Sequence, residues 1–211
     1  ITAAVFDMLL ATSCRNEAPD ATPAPFDAAR DGLVVGEGAG SLVLEDLEHA
    51  RSRGARILAE VLGYGASCDG AHLTQPDAAG MQRAMELALA DAGVSAREVD
   101  YVSAHATATD LGDVAESLAT HAVFGEGVAV SSLKGHLGHT LGACGAVETW
   151  ITLAALREGW LPPTRNLVTV DPRCAPLDHV RDEPRAADAR IVVKNSFAFG
   201  GINTSLVLRR F

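Results

Sequence analysis

Apolar residues recur along the chain with two spacings, which together predict alternating helices and strands. In the segment 80–92 they fall at helical spacing, and Gly93 follows as a predicted helix C-cap. Further helices are predicted at 1–12, 111–121 and 140–156. Short runs rich in β-branched and aliphatic residues predict strands at 41–45, 56–62, 99–104, 128–132, 191–193 and 205–208.

The alternation predicts a layered α/β fold in which ligands bind near the carboxyl ends of the strands. The helix predicted at 140–156 is apolar almost all round, which indicates that it is buried. The segment 13–31 contains three prolines and is predicted to be a loop. At 211 residues the chain is long enough to bury a full core.

Charge and cysteine content narrow the class of protein. A formal net charge of -10 speaks against a nucleic-acid or anionic-membrane partner. No apolar run approaches the length of a membrane span. The four cysteines form no C-x-x-C pair, so we expect neither a disulfide framework nor a structural zinc site, and we expect a cytoplasmic protein. The chain opens at Ile1 instead of methionine, and we expect it to be a fragment of a longer protein.

Two histidine segments carry most of the chemical information. Residues 104–110 read AHATATD and residues 134–140 read KGHLGHT, so His105 and His139 each follow a predicted strand among small residues. A lone histidine is usually solvated or part of the core, but two in such similar settings favour a shared function. His139 precedes a predicted helix, whose positive end disfavours imidazolium. A neutral imidazole can donate a hydrogen bond to a carbonyl or enolate oxygen.

The residues around the histidines leave several alternatives open. Lys134 is either a fixed positive charge beside them or a surface lysine. Thr107 and Thr109 alternate along an extended stretch, so both hydroxyls are predicted to face one ligand, although Thr109 or Asp110 is also a candidate helix cap. Glu116, like Asp113, is either solvated or turned inward, in which case it is predicted to pair with Lys134.

Three other patterns are weaker. His136, His139 and Cys144 have loose zinc-ligand spacing and no acidic ligand beside them, so no metal site is predicted. The glycine-rich segment 36–40 precedes a strand and does not join a strand to a helix, which favours a packed turn over a phosphate-binding loop. Ser67 lacks the second glycine of a nucleophile elbow.

Four segments resemble signature segments of the β-ketoacyl-acyl-carrier-protein synthases that have a Cys-His-His triad. They are AHATAT at 104–109, SSLKGHLGHTLGA at 131–143, NSFAFGG at 195–201 and GLVVGEGAGSLVLE at 32–45. The resemblance runs in family order over essentially the whole chain. It implies the thiolase-like layered αβαβα fold, with residues 1–65 as the end of the N-terminal half and residues 66–211 as the C-terminal half.

The resemblance also implies a reaction and a role for each site residue. The family's nucleophilic cysteine would lie upstream of Ile1, and none of the four cysteines here matches it. His105 and His139 match the two histidines that assist decarboxylation of malonyl carrier protein and stabilise the enolate for Claisen condensation. Lys134 matches the lysine beside them, and Glu116 its partner. The phosphopantetheine arm would contact Thr107 and Thr109, and Phe199 matches the gatekeeper whose backbone N–H joins the oxyanion hole.

Partners follow from the same resemblance. We expect an acyl carrier protein, the missing N-terminal half, and a homodimer or a ketosynthase heterodimer, with no cofactor beyond the carrier's phosphopantetheine arm. Ala106 and His136 depart from the usual family residues. Residues 110–117 most resemble stand-alone bacterial synthases of polyene or polyketide pathways.

Two other functions stay open. One is a non-catalytic partner like the chain-length factors, which commonly lose triad residues; the presence of both histidines speaks against it. The other is a mature non-enzymatic product. We expect residues 1–211 alone to be inactive and insoluble, because an uncovered sheet face would expose a large apolar area.

Overall fold

The structure, a computed structural model, describes residues 1–211 and contains eight strands. They are β1 (Ala59–Cys68), β2 (Tyr101–Ser103), β3 (Ala129–Ser131), β4 (Trp160–Leu161), β5 (Asp178–His179), β6 (Arg185–Ala186), β7 (Ile191–Ala198) and β8 (Ile202–Arg210). Six of them form one mixed sheet in the order β1-β8-β7-β2-β3-β5, while β4 and β6 form a separate antiparallel pair.

The helices alternate with the strands, as the hydrophobic pattern predicts. They are α1 (Thr2–Met8), α2 (Leu47–Ser52), α3 (Ala78–Ala92), α4 (Asp110–Phe124), α5 (Lys134–Leu137) and α6 (Cys144–Arg157). Short 3-10 turns occur at Pro19–Ala21, Ala96–Glu98 and Leu141–Ala143. The prediction for α3 is confirmed to its end, where Gly93 adopts the left-handed conformation (φ 63°) of a helix C-cap.

Helices cover both faces of the sheet. Val102 and Val193 point to the face that holds Ala88 of α3, while Tyr101 and Val192 point to the opposite face, where they pack with Leu156 of α6. The layered α/β arrangement predicted from the sequence is thus confirmed. All three residues of β2 and of β3 are buried, so both faces of these strands are covered.

Parallel strands bring the site residues to one edge. The strands β7, β2, β3 and β5 run parallel, so their carboxyl ends lie together. His105 follows β2, Lys134 follows β3 and Phe199 follows β7, which turns back into the antiparallel strand β8. The loops at this edge are therefore where functional residues of such a sheet are expected.

Two of the predicted elements differ most from the structure. Residues 41–45 form no strand, and Leu42, Val43 and Leu44 are exposed, because no neighbouring strand of the described chain accepts their backbone hydrogen bonds. The prediction that 140–156 is a buried helix is wrong in part. The α-helix begins at Cys144, and it exposes Trp150 while burying Glu148, since Glu148 has charged partners inside.

The division after residue 65 stays a prediction, and that position lies within β1. The first helix ends at Met8 and not at residue 12. No helix in residues 1–211 combines the length and the apolar character that crossing a bilayer requires.

Candidate active site

His105 and His139 lie face to edge at the carboxyl edge of the sheet. Their ring centroids are 5.2 Å apart, with an angle of 83° between the ring planes. Phe197 of β7 lies on the other side of His105, at 6.2 Å between centroids. Two imidazoles this close can both contact one small group, such as a thioester carbonyl.

Glu116 of α4 fixes the backbone that carries His105. Its carboxylate accepts the backbone N–H of His105 at 2.8 Å and that of Ala106 at 2.6 Å, and Asn195 Nδ2 lies 3.3 Å from Oε1. The predicted pairing of Glu116 with Lys134 is therefore wrong: the carboxylate is occupied by two N–H groups of the turn after β2. Burial raises the pKa of Glu116.

The backbone of His139 is held from both sides by a segment far away in sequence. Its N–H donates to the carbonyl of Val34 at 2.7 Å, and its own carbonyl accepts the N–H of Gly36 at 2.9 Å. A Cβ at Gly36 would lie 2.3 Å from the Leu137 carbonyl oxygen, so only glycine permits this approach. The close packing expected for 36–40 is confirmed at Gly36, but these residues run as irregular backbone and form no turn.

The side chain of His139 is oriented by its own loop. Nδ1 accepts the backbone N–H of Leu141 at 3.2 Å. In the neutral imidazole the proton must then sit on Nε2, which makes Nε2–H a hydrogen-bond donor. His105 Nδ1 is buried and has no hydrogen-bond partner.

Behind the histidines lies a buried cluster of three charges. Glu148 Oε1 lies 2.7 Å from Nζ of Lys134, and Oε2 lies 2.7 Å from Nζ of Lys194. All three side chains are at most 2% exposed, so the surface-lysine interpretation of Lys134 is wrong. Burial opposes ionisation of Glu148, but the two lysines outweigh it and lower its pKa.

Sequence reasoning missed Glu148 and Lys194. The signal was present in both cases: each is a single charged residue inside a buried apolar element. Such residues are almost never fully buried unless they are paired.

Both imidazoles are held neutral. Burial, followed by the charges of Lys134 and Lys194, lowers the pKa of His139 to about 4 against the opposing charge of Glu148. Burial and Lys134 also lower the pKa of His105 well below its ordinary value. The neutral state expected from the sequence thus has burial as its main cause, since α6 begins only at Cys144.

Thr107 and Thr109 present their hydroxyls to one side, with 3.0 Å between the two Oγ1 atoms. Both line the cleft in front of the histidines. Thr109 is the N-cap residue of α4, but its side chain makes no capping hydrogen bond, so the capping alternative does not apply to it.

Asp113 stabilises the turn that carries Thr107. Its buried carboxylate accepts the backbone N–H groups of Phe26, Thr107 and Ala108. Burial raises the pKa of Asp113 to about 7. Asp113 and Glu116 are both buried, so neither is the solvated residue that the sequence left open.

A cleft of roughly 800 Å³ opens above the histidines. Phe199 lines its mouth, with its ring centroid 5.6 Å from that of Phe6 in α1. No lysine or arginine is among the lining residues, and most of the exposed lining surface is apolar. The lining also includes the acidic residues Asp31, Asp69 and Asp110, so the cleft suits an apolar chain more than a highly anionic ligand.

The weaker patterns form no site of their own. Nε2 of His136 lies 2.9 Å from the carbonyl of Pro163, and His136 is exposed, whereas His139 lines the cleft. Cys144 is a free, buried thiol at the start of α6 that lines the cleft. Ser67 donates to the carbonyl of Gly80 at 2.6 Å and is not arranged as a nucleophile. No cluster of three or more His, Cys, Asp or Glu residues in the chain is arranged to hold a metal ion.

The sequence of the chain is similar to those of known proteins. Residues 58–168, which are 111 of the 211 residues, match the family described as beta-ketoacyl synthase, C-terminal domain. The chain is 45% identical over 210 residues to 3-oxoacyl-[acyl-carrier-protein] synthase 2 of Coxiella burnetii, which covers 97% of this chain and 50% of that protein.

Solved structures of ketosynthases superpose closely on the chain. A beta-ketoacyl synthase from Burkholderia phymatum superposes with a TM-score of 0.98 at 60% identity, over 100% of this chain and 52% of that one. The ishigamide ketosynthase/chain length factor superposes with a TM-score of 0.92 at 45% identity, over 99% of this chain and 50% of that one. The chain thus spans about half the length of the proteins it matches.

Proposed function

Because the chain belongs to the β-ketoacyl synthase family, we propose that it supplies the histidine half of a 3-oxoacyl-[acyl-carrier-protein] synthase active site. The observation that carries the proposal is the pair His105 and His139, whose rings lie 5.2 Å apart at a cleft. Nε2–H of His139 is set as a donor by the N–H of Leu141.

The first step proposed is decarboxylation of a malonyl thioester. The bond between the α-carbon and the carboxylate breaks, CO₂ leaves, and the electron pair moves onto the thioester oxygen to give an enolate. Donors placed where this charge develops lower the barrier. His105 and His139 are the donors in this scheme, and because both are neutral they stabilise the oxygen without delivering a full proton to the carbanion.

The second step proposed is a Claisen condensation. The enolate carbon attacks the carbonyl of an acyl thioester held on a cysteine, a carbon–carbon bond forms, and the cysteine thiolate leaves. By family likeness this cysteine is supplied from outside residues 1–211. The cysteines at 14, 68, 144 and 174 have no place in the scheme.

The neighbouring residues then have distinct tasks. Lys134 supplies a buried positive charge, and Glu116 holds the turn that carries His105. Thr107 and Thr109 are proposed to contact the phosphopantetheine arm of an acyl carrier protein, since both hydroxyls face the cleft. Phe199, at the cleft mouth, is proposed as the gate, with its backbone N–H in the oxyanion hole. The chemistry requires no metal or redox cofactor.

A second candidate is the role of a chain-length factor. The resemblance to a ketosynthase/chain length factor structure supports it. The intact histidine pair favours the catalytic subunit, because a subunit without chemistry has no need of two oriented donors. The residue at the upstream nucleophile position decides between the two: cysteine indicates the synthase.

The test is decarboxylation of radiolabelled malonyl carrier protein by the full-length protein that contains this chain. We expect release of labelled CO₂, and a large loss of it in His105→Ala and in His139→Ala. His136→Ala is the matched control, because His136 is an exposed histidine of the neighbouring helix α5 that lies outside the cleft. Absence of decarboxylation, or full activity in both triad variants, would contradict the proposal.

A further inference from the structure

Lys194 occupies a position that a packed strand would be expected to fill with an apolar residue. It lies in β7 between Val193 and Asn195, and 2% of its surface is exposed. Its Nζ lies 2.7 Å from Oε2 of Glu148 and also donates to the carbonyl of Asn195. An ammonium this deeply buried is expensive, so its partners must hold it in one place.

Glu148 is shared between two lysines that approach it from different elements. Lys134 comes from α5 and takes Oε1, while Lys194 comes from β7 and takes Oε2. One carboxylate therefore faces two ammonium groups. The cluster carries one positive charge that no member of the cluster neutralises.

We propose that Lys194 is a positioning residue of the active site: by occupying one oxygen of Glu148 it leaves Lys134 incompletely neutralised, so that the histidine pair faces a buried net positive charge. This rests on the proposed function for its chemical meaning. The arrangement itself rests on the two 2.7 Å contacts.

The charges that face the histidines from each packed element support this account. They are Lys134 from α5, Glu148 from α6 and Lys194 from β7, and the other ionisable groups nearby are the thiol of Cys144 and the carboxylate of Glu116. The carboxylate of Glu116 is already engaged by the N–H groups of His105 and Ala106. After burial itself, Lys134 and Lys194 both lower the pKa of each histidine.

A net positive charge at this place suits an enolate. It stabilises a negative oxygen, and it also keeps the imidazoles unprotonated. An imidazolium beside the carbanion would protonate carbon and end the reaction as an acetyl thioester. Lys194 would thus extend towards lower pH the range in which carbon–carbon bond formation is free of this competing proton transfer.

The test compares two substitutions with opposite effects on the charge of the cluster. Lys194→Met removes a positive charge at similar volume, and Glu148→Gln removes a negative charge. In the full-length protein we expect Lys194→Met to raise the pKa of His139 by roughly one pH unit, a tenfold change in proton affinity, and Glu148→Gln to lower it. The acid limb of the decarboxylation profile should move in the same directions.

The readout is the NMR titration of the His139 ring Cε1–H, together with that pH profile. Arg209→Met is the matched control, since it removes a positive charge paired with Glu60 from the neighbouring strand β8 at an exposed position. Arg209→Met should change neither the His139 titration nor the pH profile of decarboxylation. A purely structural role for Lys194 would lower activity at every pH and leave the His139 titration in place, which would overturn the proposal.

Lys194→Gln serves as a second variant because it removes the charge and keeps hydrogen-bond donors on a shorter side chain. The same upward shift is expected in it, and failure of both Lys194 variants to fold would assign Lys194 a structural role and overturn the proposal. The NMR titration needs no turnover. A wild-type protein that does not decarboxylate malonyl carrier protein would therefore refute the proposed function, while the titration would still decide the role of Lys194.

Discussion

The backbone N–H of Leu141 points at Nδ1 of His139 from 3.2 Å, and this one contact decides which nitrogen of the ring is the donor. Leu141 adopts a positive φ of 52° to reach this position. Non-glycine residues pay about 1–3 kcal/mol for such a backbone, and this kind of strain gathers at functional sites. The strained backbone of this loop thus lowers the stability of the fold while it orients the imidazole of His139.

The first prediction concerns the protonation of His139. Burial and Lys134 lower its pKa to about 4, so its ring should stay neutral from pH 8 down to pH 6. We expect the His139 Cε1–H resonance of the full-length protein to be flat over that range and to titrate only in more acidic buffer. The signal is assigned by its loss in His139→Gln. A midpoint near 6.5 would contradict the burial described above.

The second prediction concerns His179, whose two ring nitrogens are buried without partners. Burial lowers its pKa to about 4, and its ring lies 4.8 Å from that of Phe26. Below about pH 6.5 His179 is therefore protonated in the unfolded chain but stays neutral in the folded protein. The free energy of unfolding falls as the pH drops from 6.5 towards 4.

Replacing His179 by phenylalanine should remove that loss. We expect His179→Phe to raise the free energy of unfolding by roughly 1–2 kcal/mol at pH 5 and by less at pH 7.5. Urea unfolding at the two pH values measures it. His136→Phe, at an exposed position, is the control. A variant equally destabilised at both pH values would show that the site cannot hold a phenyl ring.

The third prediction concerns the carboxylate of Glu148, which Lys134 and Lys194 share. Glu148→Gln leaves Lys134 and Lys194 buried without a counter-charge, whereas Lys134→Met leaves a one-to-one pair. Breaking a buried pair costs about 3–5 kcal/mol. We expect Glu148→Gln to lose stability in that range and Lys134→Met to lose clearly less in chemical unfolding. The reverse order would mean that Lys194 does not compensate Glu148.

The fourth prediction concerns the role of Glu116 in holding the turn that carries His105. A glutamine keeps one oxygen acceptor but loses the other, so one N–H of His105 or Ala106 loses its partner. We expect Glu116→Gln to cost about 1–3 kcal/mol of stability and to lower kcat more than it raises KM. Glu126→Gln, exposed just beyond α4, should be near neutral. Unchanged kcat would exclude a role in holding His105.

The fifth prediction concerns the hydroxyls of the cleft. Thr107→Val and Thr109→Val keep shape and remove a hydrogen-bonding group from the cleft wall. If the phosphopantetheine arm binds there, KM for the carrier-linked substrate should rise several-fold with little change in kcat. Thr120→Val removes a buried, unpartnered hydroxyl of α4 that does not line the cleft, and it serves as the control. Equal KM values in all three variants would count against the assignment.

The meeting of His105 and His139 could be predicted from the sequence because it depends on local patterns. Each histidine follows a segment whose apolar character defines a strand, and parallel strands end at the same edge. The partner of Lys134 could not be predicted in the same way. Which glutamate a lysine meets depends on how α4 and α6 are rotated about their axes, and no residue spacing records that rotation.

Residues 41–45 show the other limit. Their apolar run is typical of a strand, but a strand exists only beside another strand, and within residues 1–211 they have none. Lys194 shows the same dependence on distant contacts. A charge in β7 is tolerable only because Glu148, forty-six positions earlier, reaches it from α6.

The hydrogen bonds that tie His139 to Val34 and Gly36 also bear on how the site is assembled. They close a loop of about one hundred residues, and a closure of this length costs entropy that the docked segment must offset. His105 is held by Glu116, from a different element, so loosening residues 34–36 would free the backbone of His139 and leave that of His105 in place. The two histidines are therefore anchored independently, and the spacing between their rings depends on two separate sets of contacts.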